Sequence, residues 1–103
     1  MYISNAFSLS MIAPRAHIDV SPLTAEEVAA LPLESAIGHA DTAKVVGDLL
    51  GIDLLANRVN ISLNPGDNMV VAQYIGPRLQ EGATQLPDGA RIEFRLVKVE
   101  EVH

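Results

Sequence analysis

The chain has 103 residues, a formal net charge of −6, 49% apolar and 19% charged residues, and no cysteine. That size and composition fit one globular domain over 1–103 and exclude a disordered chain, a disulfide framework and thiolate chemistry. The acidic balance argues against duplex DNA or RNA as a partner, since such binding relies on many Lys and Arg contacts to phosphate. No apolar run reaches the roughly 20 residues that span a bilayer, so no membrane partner and a cytoplasmic location are expected. A small anion remains admissible, because a few arginines and a helix N-terminus make a local positive site.

Tyr2–Phe7 reads as a short strand running into a polar loop. Ala16, Ile18 and Val20 alternate with His17 and Asp19, the pattern of a half-buried strand, and Ser21-Pro22 is expected to stop it. Thr24 and Glu27 stand in a T-x-x-E capping box, so a short helix begins there, and Pro32 limits it to about two turns. A longer helix is predicted from near Gly38 to Leu50, with Gly51 as its stop. Ala43, Val46 and Leu50 share its apolar face, while Asp41, Lys44 and Asp48 take the solvated one. His39 falls on the apolar side of the first turn and is expected to point toward the body of the protein.

Three strands are predicted beyond Gly51. Val59, Ile61 and Leu63 alternate with Arg58, Asn60 and Ser62, and Asn64-Pro65-Gly66-Asp67 is a tight turn. Met69–Ile75 should return antiparallel to that strand and, being nearly all apolar apart from Gln73, should be central. The loop Gly76–Gln85 leads to the turn Pro87-Asp88-Gly89. Ile92, Phe94 and Leu96 then alternate with Arg91, Glu93 and Arg95 in a last strand. The predicted order is β, β, α, α, β, β, β. The fold class is α/β of the α+β type: one mixed, mostly antiparallel sheet of about five strands, with two to three helices packed on it.

Two segments hold the residue types that do chemistry. Gly38-His39 opens the long helix, and His39 differs from His17, on the polar face of a strand, and from His103, the last residue. Histidine exchanges a proton near neutral pH, although a lone histidine is more often structural than catalytic. Gly38 fits a helix start and also allows a ligand close to the backbone. In Gly76–Ala83, Arg78 and Glu81 are three apart, which puts them on one face of a helical turn. Arginine can grip a phosphate bidentately; the same two residues can equally form a surface ion pair. No spacing suits a metal, and there is no P-loop, nucleophile elbow or dinucleotide fingerprint.

Four segments in order, Asn5–Leu9, Ser35–Ala43, Asn57-Arg58 and Gly76–Ala83, resemble one family of small proteins from archaeal viruses, phages and bacteria. That family, long described as a domain of unknown function, includes the viral type III anti-CRISPR ring nuclease. The resemblance covers nearly the whole chain. It implies a homodimer that binds cyclic tetra-adenylate, the second messenger of type III CRISPR systems. It implies cleavage of that ring to linear adenylates with 2′,3′-cyclic phosphate ends, with no metal and no cofactor. By the same resemblance His39 is the general acid, and Arg78 and Glu81 complete the catalytic set. Asn5, Ser8, Gly38, Thr42, Arg58 and Gln73 fall at substrate-binding positions. A module that binds or sequesters the ring without cutting it, or an interaction protein of a mobile element, is the alternative.

Overall fold

The structure is a computed structural model that describes residues 1–77, 82 and 85–101. Its elements are β1 (Tyr2–Ser4), a 3-10 turn at Leu9–Met11, β2 (His17–Leu23), α1 (Ala25–Ala29), β3 (Glu34–Ser35), α2 (Ala40–Leu50), β4 (Asn68–Ile75) and β5 (Arg91–Glu100). The five strands form one mixed sheet in the order β2-β5-β4-β1-β3. The α+β class holds, with α1 and α2 as the two helices on the sheet.

Local signals act where the sequence puts them. Thr24 Oγ1 accepts from Glu27 N–H at 3.1 Å, and Glu27 Oε1 accepts from Thr24 N–H at 3.0 Å, so the capping box closes both ways. At the far end of α2, Gly51 takes φ +70°, and Ile52 N–H reaches back to the Gly47 carbonyl at 3.0 Å, the Schellman closure. On the outer face of α2, Lys44 donates to Asp48 at 2.7 Å, one turn apart. That hydrogen bond first, then the carboxylate's charge, raises the Lys44 pKa, but both partners are so exposed that the pair adds little stability. The turn at Pro65-Gly66 closes through Asp67 N–H to the Asn64 carbonyl at 2.9 Å, and that at Asp88-Gly89 through Ala90 N–H to the Pro87 carbonyl at 3.1 Å.

Strand pairing departs from the sequence reading in three places. The 59–63 segment forms no strand. β4 already has β5 along one edge and β1 along the other, so no edge is left for it. Its alternation instead buries Ile61 and Leu63 against the sheet face, and Leu63 N–H bonds the Met11 carbonyl at 2.6 Å. β2 runs through Ser21-Pro22 to Leu23. It is an edge strand, where a missing proline N–H is tolerated. Ile18 and Val20 are 39% and 52% exposed rather than half-buried, because nothing among the described residues covers that corner. β3, two residues long, was not anticipated.

The sheet is covered on both faces. Ile3, Val70, Ala72 and Phe94 pack under Val28, Ala43, Val46 and Leu50 of the helices. On the other face Met69 and Val99 pack with Ala36, Ile61 and Leu63, joined by Phe7, Met11 and Ile12. Gly47 lies on the buried side of α2, where the chain turns back. A Cβ there would stand 2.7 Å from the Ile52 carbonyl oxygen and 3.3 Å from Leu54 N. In an open helix Gly→Ala gains about 1 kcal/mol. Here overpacking against backbone costs about 1–3 kcal/mol and outweighs it. Gly47→Ala should therefore lower stability, read as an earlier urea midpoint with an unchanged m-value; a later midpoint would show that the 52–54 segment yields freely.

Candidate functional site

β3, β1 and β4 are adjacent and mutually parallel. Their carboxyl ends therefore lie at one end of the sheet, and so do the segments that leave them. Those segments are Asn5–Ser8 after β1, Ala36–His39 after β3, and the chain from Gly76 after β4. Crevices outside the carboxyl ends of parallel strands are where α/β sheets hold ligands. Two of the four segments singled out in the sequence, Asn5–Leu9 and Ser35–Ala43, arrive there by topology alone, and Gly76–Ala83 begins at the same end of the sheet.

The fourth is brought by hydrogen bonds. Asn57 N–H donates to the Ile37 carbonyl at 2.8 Å, and Asn57 Nδ2 donates to the Ser35 carbonyl at 2.8 Å. Arg58 then lies across Gly38 and donates from Nε to its carbonyl at 3.1 Å. A Cβ on Gly38 would meet Arg58 Cγ at 3.2 Å, so the glycine is what lets the arginine lie flat on the backbone. One of the five guanidinium donors is thereby engaged, and the terminal nitrogens make no hydrogen bond to a described residue.

A cleft of about 470 Å³ opens here, lined by Ser4, Asn5, Ala6, Ala36, Gly38, His39, Arg58, Val59 and Asn60. Among the described residues its lining has an arginine and a histidine and no carboxylate, in a chain whose net charge is −6. Such a lining suits an anion. His39 is the N-cap of α2, with φ −121° and ψ 129°, and its side chain makes no cap bond. Because that backbone is extended, the helical wheel does not apply to it. His39 is exposed at the cleft instead of pointing into the body of the protein, which corrects the sequence expectation.

The cleft thus brings together Asn5, Gly38, His39 and Arg58. Ser8, Thr42 and Gln73 do not line it. Ser8 is exposed and caps the 3-10 turn, its Oγ accepting from Ser10 N–H at 3.3 Å. Thr42 is half-buried in the first turn of α2. Gln73 is exposed on β4 opposite Glu93, on the sheet face that carries Ser4 and Val71. Arg78 and Glu81 lie outside the described residues. Asn60 and Ser4 are cleft residues that sequence reading missed. Asn60 looked like the solvent side of a strand, and Ser4 like part of one. Among the described residues, no three His, Asp or Glu side chains are grouped to hold a metal ion. No helix among them is long and apolar enough to cross a membrane.

Fold and cleft together define a small α+β protein with an anion-suited crevice at the carboxyl ends of parallel strands. The chain belongs to the STIV B116-like family, whose sequence model matches residues 1–96. The four ordered segments pointed to this same family. Its solved relative B116 of Sulfolobus turreted icosahedral virus superposes with a TM-score of 0.78 at 30% identity, over 94% of this chain and 97% of B116. The ORF117 protein of Acidianus two-tailed virus is 30% identical over 88 residues, 80% of this chain and 74% of its own. Protein 26 of a Sulfolobus islandicus filamentous virus is 33% identical over 88 residues, 80% of this chain and 73% of its own.

The double hydrogen bond of Asn57 gives the site a structural test. Asn57→Ala should cost about 1 kcal/mol, the net worth of an exposed side-chain hydrogen bond. Asn57→Asp should cost at least as much, because it removes the donor and sets a carboxylate against the Ser35 carbonyl. Urea unfolding of both variants checks this; a wild-type midpoint for Asn57→Asp would show that the Nδ2 bond contributes nothing.

Proposed function

We propose that this chain is a metal-independent ring nuclease that opens cyclic tetra-adenylate and works as a homodimer in the cytoplasm. The observation that carries the reading is the cleft beyond the carboxyl ends of the parallel strands β1 and β3, where His39 and Arg58 meet and no described lining residue is acidic. Family membership and the four ordered segments add to it.

The chemistry asks little of the protein. A ribose 2′-hydroxyl already sits beside the scissile phosphate. Its oxygen attacks phosphorus and the P–O5′ bond breaks. The 2′-hydroxyl proton is lost to solvent or a base, and the departing 5′-oxygen gains one, leaving a 2′,3′-cyclic phosphate and a 5′-hydroxyl. The protein must hold the attack in line, stabilise charge on the phosphate oxygens, and supply the proton. In this reading Arg58 and Arg78 meet phosphate, His39 protonates the leaving oxygen, and Glu81 holds Arg78 or a ribose hydroxyl. Asn5 and Gly38 line the floor, and Ser8, Thr42 and Gln73 contact more distant parts of the ring. A two-fold ring matches an isologous dimer, which presents a His39 to each of two opposite phosphates.

A second reading has one observation behind it. No described residue hydrogen-bonds the His39 side chain, so none orients the imidazole in the free protein. A module that binds the ring without cutting it needs no such orientation.

Incubation with cyclic tetra-adenylate in EDTA decides first. Linear products with 2′,3′-cyclic phosphate ends are expected. Activity lost in EDTA and restored by a divalent ion would overturn the mechanism. His39→Ala then separates enzyme from binder. Turnover should fall about 10²–10⁴-fold, the usual contribution of a general acid. Ring affinity should stay near wild type, because a proton donated in the transition state adds little to ground-state binding. A folded His39→Ala protein that cuts at the wild-type rate would remove the histidine from the mechanism. Light scattering should give twice the chain mass, and a monomer in the presence of the ring would contradict a shared site.

A further inference from the structure

β2 is an edge strand: β5 pairs with it along one side, and no described strand pairs with it along the other. Its outer edge, seven residues long, therefore presents unpaired backbone groups, a ready template for another strand. The usual blunting devices are sparse, since β2 contains no Lys or Arg and its one proline, Pro22, sits near the carboxyl end. Ile18 and Val20 lie directly opposite Val99 and Val97 of β5. Those two valines are each 3% exposed, whereas Ile18 is 39% and Val20 52% exposed. The apolar sheet face thus runs past its cover to the edge. A cavity of about 360 Å³ adjoins that corner, with Ala16, Leu63 and Val99 in its wall.

We propose that β2 is a self-association edge, to which a second copy of this chain adds its own β2, antiparallel and in the register centred on Ile18. This edge is independent of the ring-nuclease reading, since the cleft lies past β1 and β3, toward the other edge of the sheet. Charge selects both the occupant and the register. A two-fold contact sets the strand against itself. Centred on Ile18, it places His17 opposite the partner's Asp19, Ile18 opposite the partner's Ile18, and Val20 opposite the partner's Ala16. Within the chain Asp19 stands opposite Lys98, and His17 opposite Glu100. One row across the seam therefore reads Lys98, Asp19, the partner's His17, the partner's Glu100. Acidic and basic groups alternate along it, and by symmetry the row occurs twice. Opposite charges on directly opposed residues stabilise an antiparallel pair. Centred on Asp19, the seam would oppose two carboxylates. Centred on Val20, it would set Ile18 against the partner's Pro22, which has no N–H to give. The overlap runs only from Ala16 to Val20 on each strand, so the contact belongs with weak, transient interfaces and forms at high protein concentration.

The test is light scattering of the ligand-free chain from low micromolar to near-millimolar concentration. The mass should rise to about twice its dilute value. Ile18→Lys and Ile18→Glu each set like charges face to face on the two-fold axis, and each should weaken the association about tenfold or more. An equimolar mixture of the two variants should recover it, because the introduced charges then meet with opposite sign. Recovery in the mixture also excludes misfolding as the cause of the loss, and it is specific to a seam centred on residue 18. A wild-type mass that stays at its dilute value overturns the proposal and leaves the edge to a different partner. Ile18→Lys associating like wild type, or a mixture that stays apart, overturns it too. If the dilute mass is that of one chain even with the ring present, the shared-site dimer falls, while the doubling and its loss in the Ile18 variants still decide the seam.

Discussion

β4 is hydrogen-bonded along both edges. β5 runs antiparallel to it over all eight residues, and β1 runs parallel to it at Met69–Val71. A strand bonded on both sides and covered on both faces is the most constrained part of such a sheet. Met69, Val70 and Ala72 are accordingly almost completely buried. Because β1 pairs parallel to β4, and β3 parallel to β1, three chain segments leave the sheet at the same end. Had β1 paired antiparallel, the chain after it would leave at the opposite end and Asn5 would be far from Gly38.

The cleft's electrostatics follow from placement rather than from composition. The chain has nearly twice as many acids as bases, 13 against 7, yet among the described residues the cleft lining has an arginine and no acid. Among the described residues Arg58 is held in place without a carboxylate partner: Asn57 fixes the backbone before it, and the Gly38 carbonyl takes its Nε. An arginine paired with an acid would have much of its charge neutralised. One that spends a single donor on a carbonyl keeps its full charge and its terminal fork for a ligand. The carboxylate nearest in sequence to His39, that of Asp41, is turned to Gly82.

The two aliphatic faces divide the work. The helix face, from Ile3 through Phe94, carries α2 and so sets the position of the His39 N-cap. The other face is covered by irregular chain, chiefly Phe7, Met11, Ile61 and Leu63. Irregular cover is where a cleft forms readily, because segments without ladder partners pack less continuously than helices. Ser4, Ala36 and Val59 mark the place where that cover ends.

The sequence by itself determined whatever closes within a few residues. The Thr24–Glu27 box, the Gly51 stop, the turns at Pro65-Gly66 and Asp88-Gly89, and the apolar run of β4 all appear where they were read. Each is a local hydrogen bond or a local φ requirement, so nearby residue types decide it. Four of the nine site residues named from sequence, Asn5, Gly38, His39 and Arg58, meet at the cleft. Tertiary structure decided the rest. Alternation at 59–63 shows which side chains are buried, but not whether they are buried by a ladder or by packing across a face. Only the occupation of both β4 edges settles that. His39 faces the cleft because α2 starts at Ala40, past the predicted start near Gly38, and helix starts depend on what the preceding chain bonds to. The pairings of β1 with β4 and of Gly82 with Asp41 join residues about 40 or more apart. No local pattern encodes such contacts, because the cost of closing so long a loop is recovered only when the whole sheet forms.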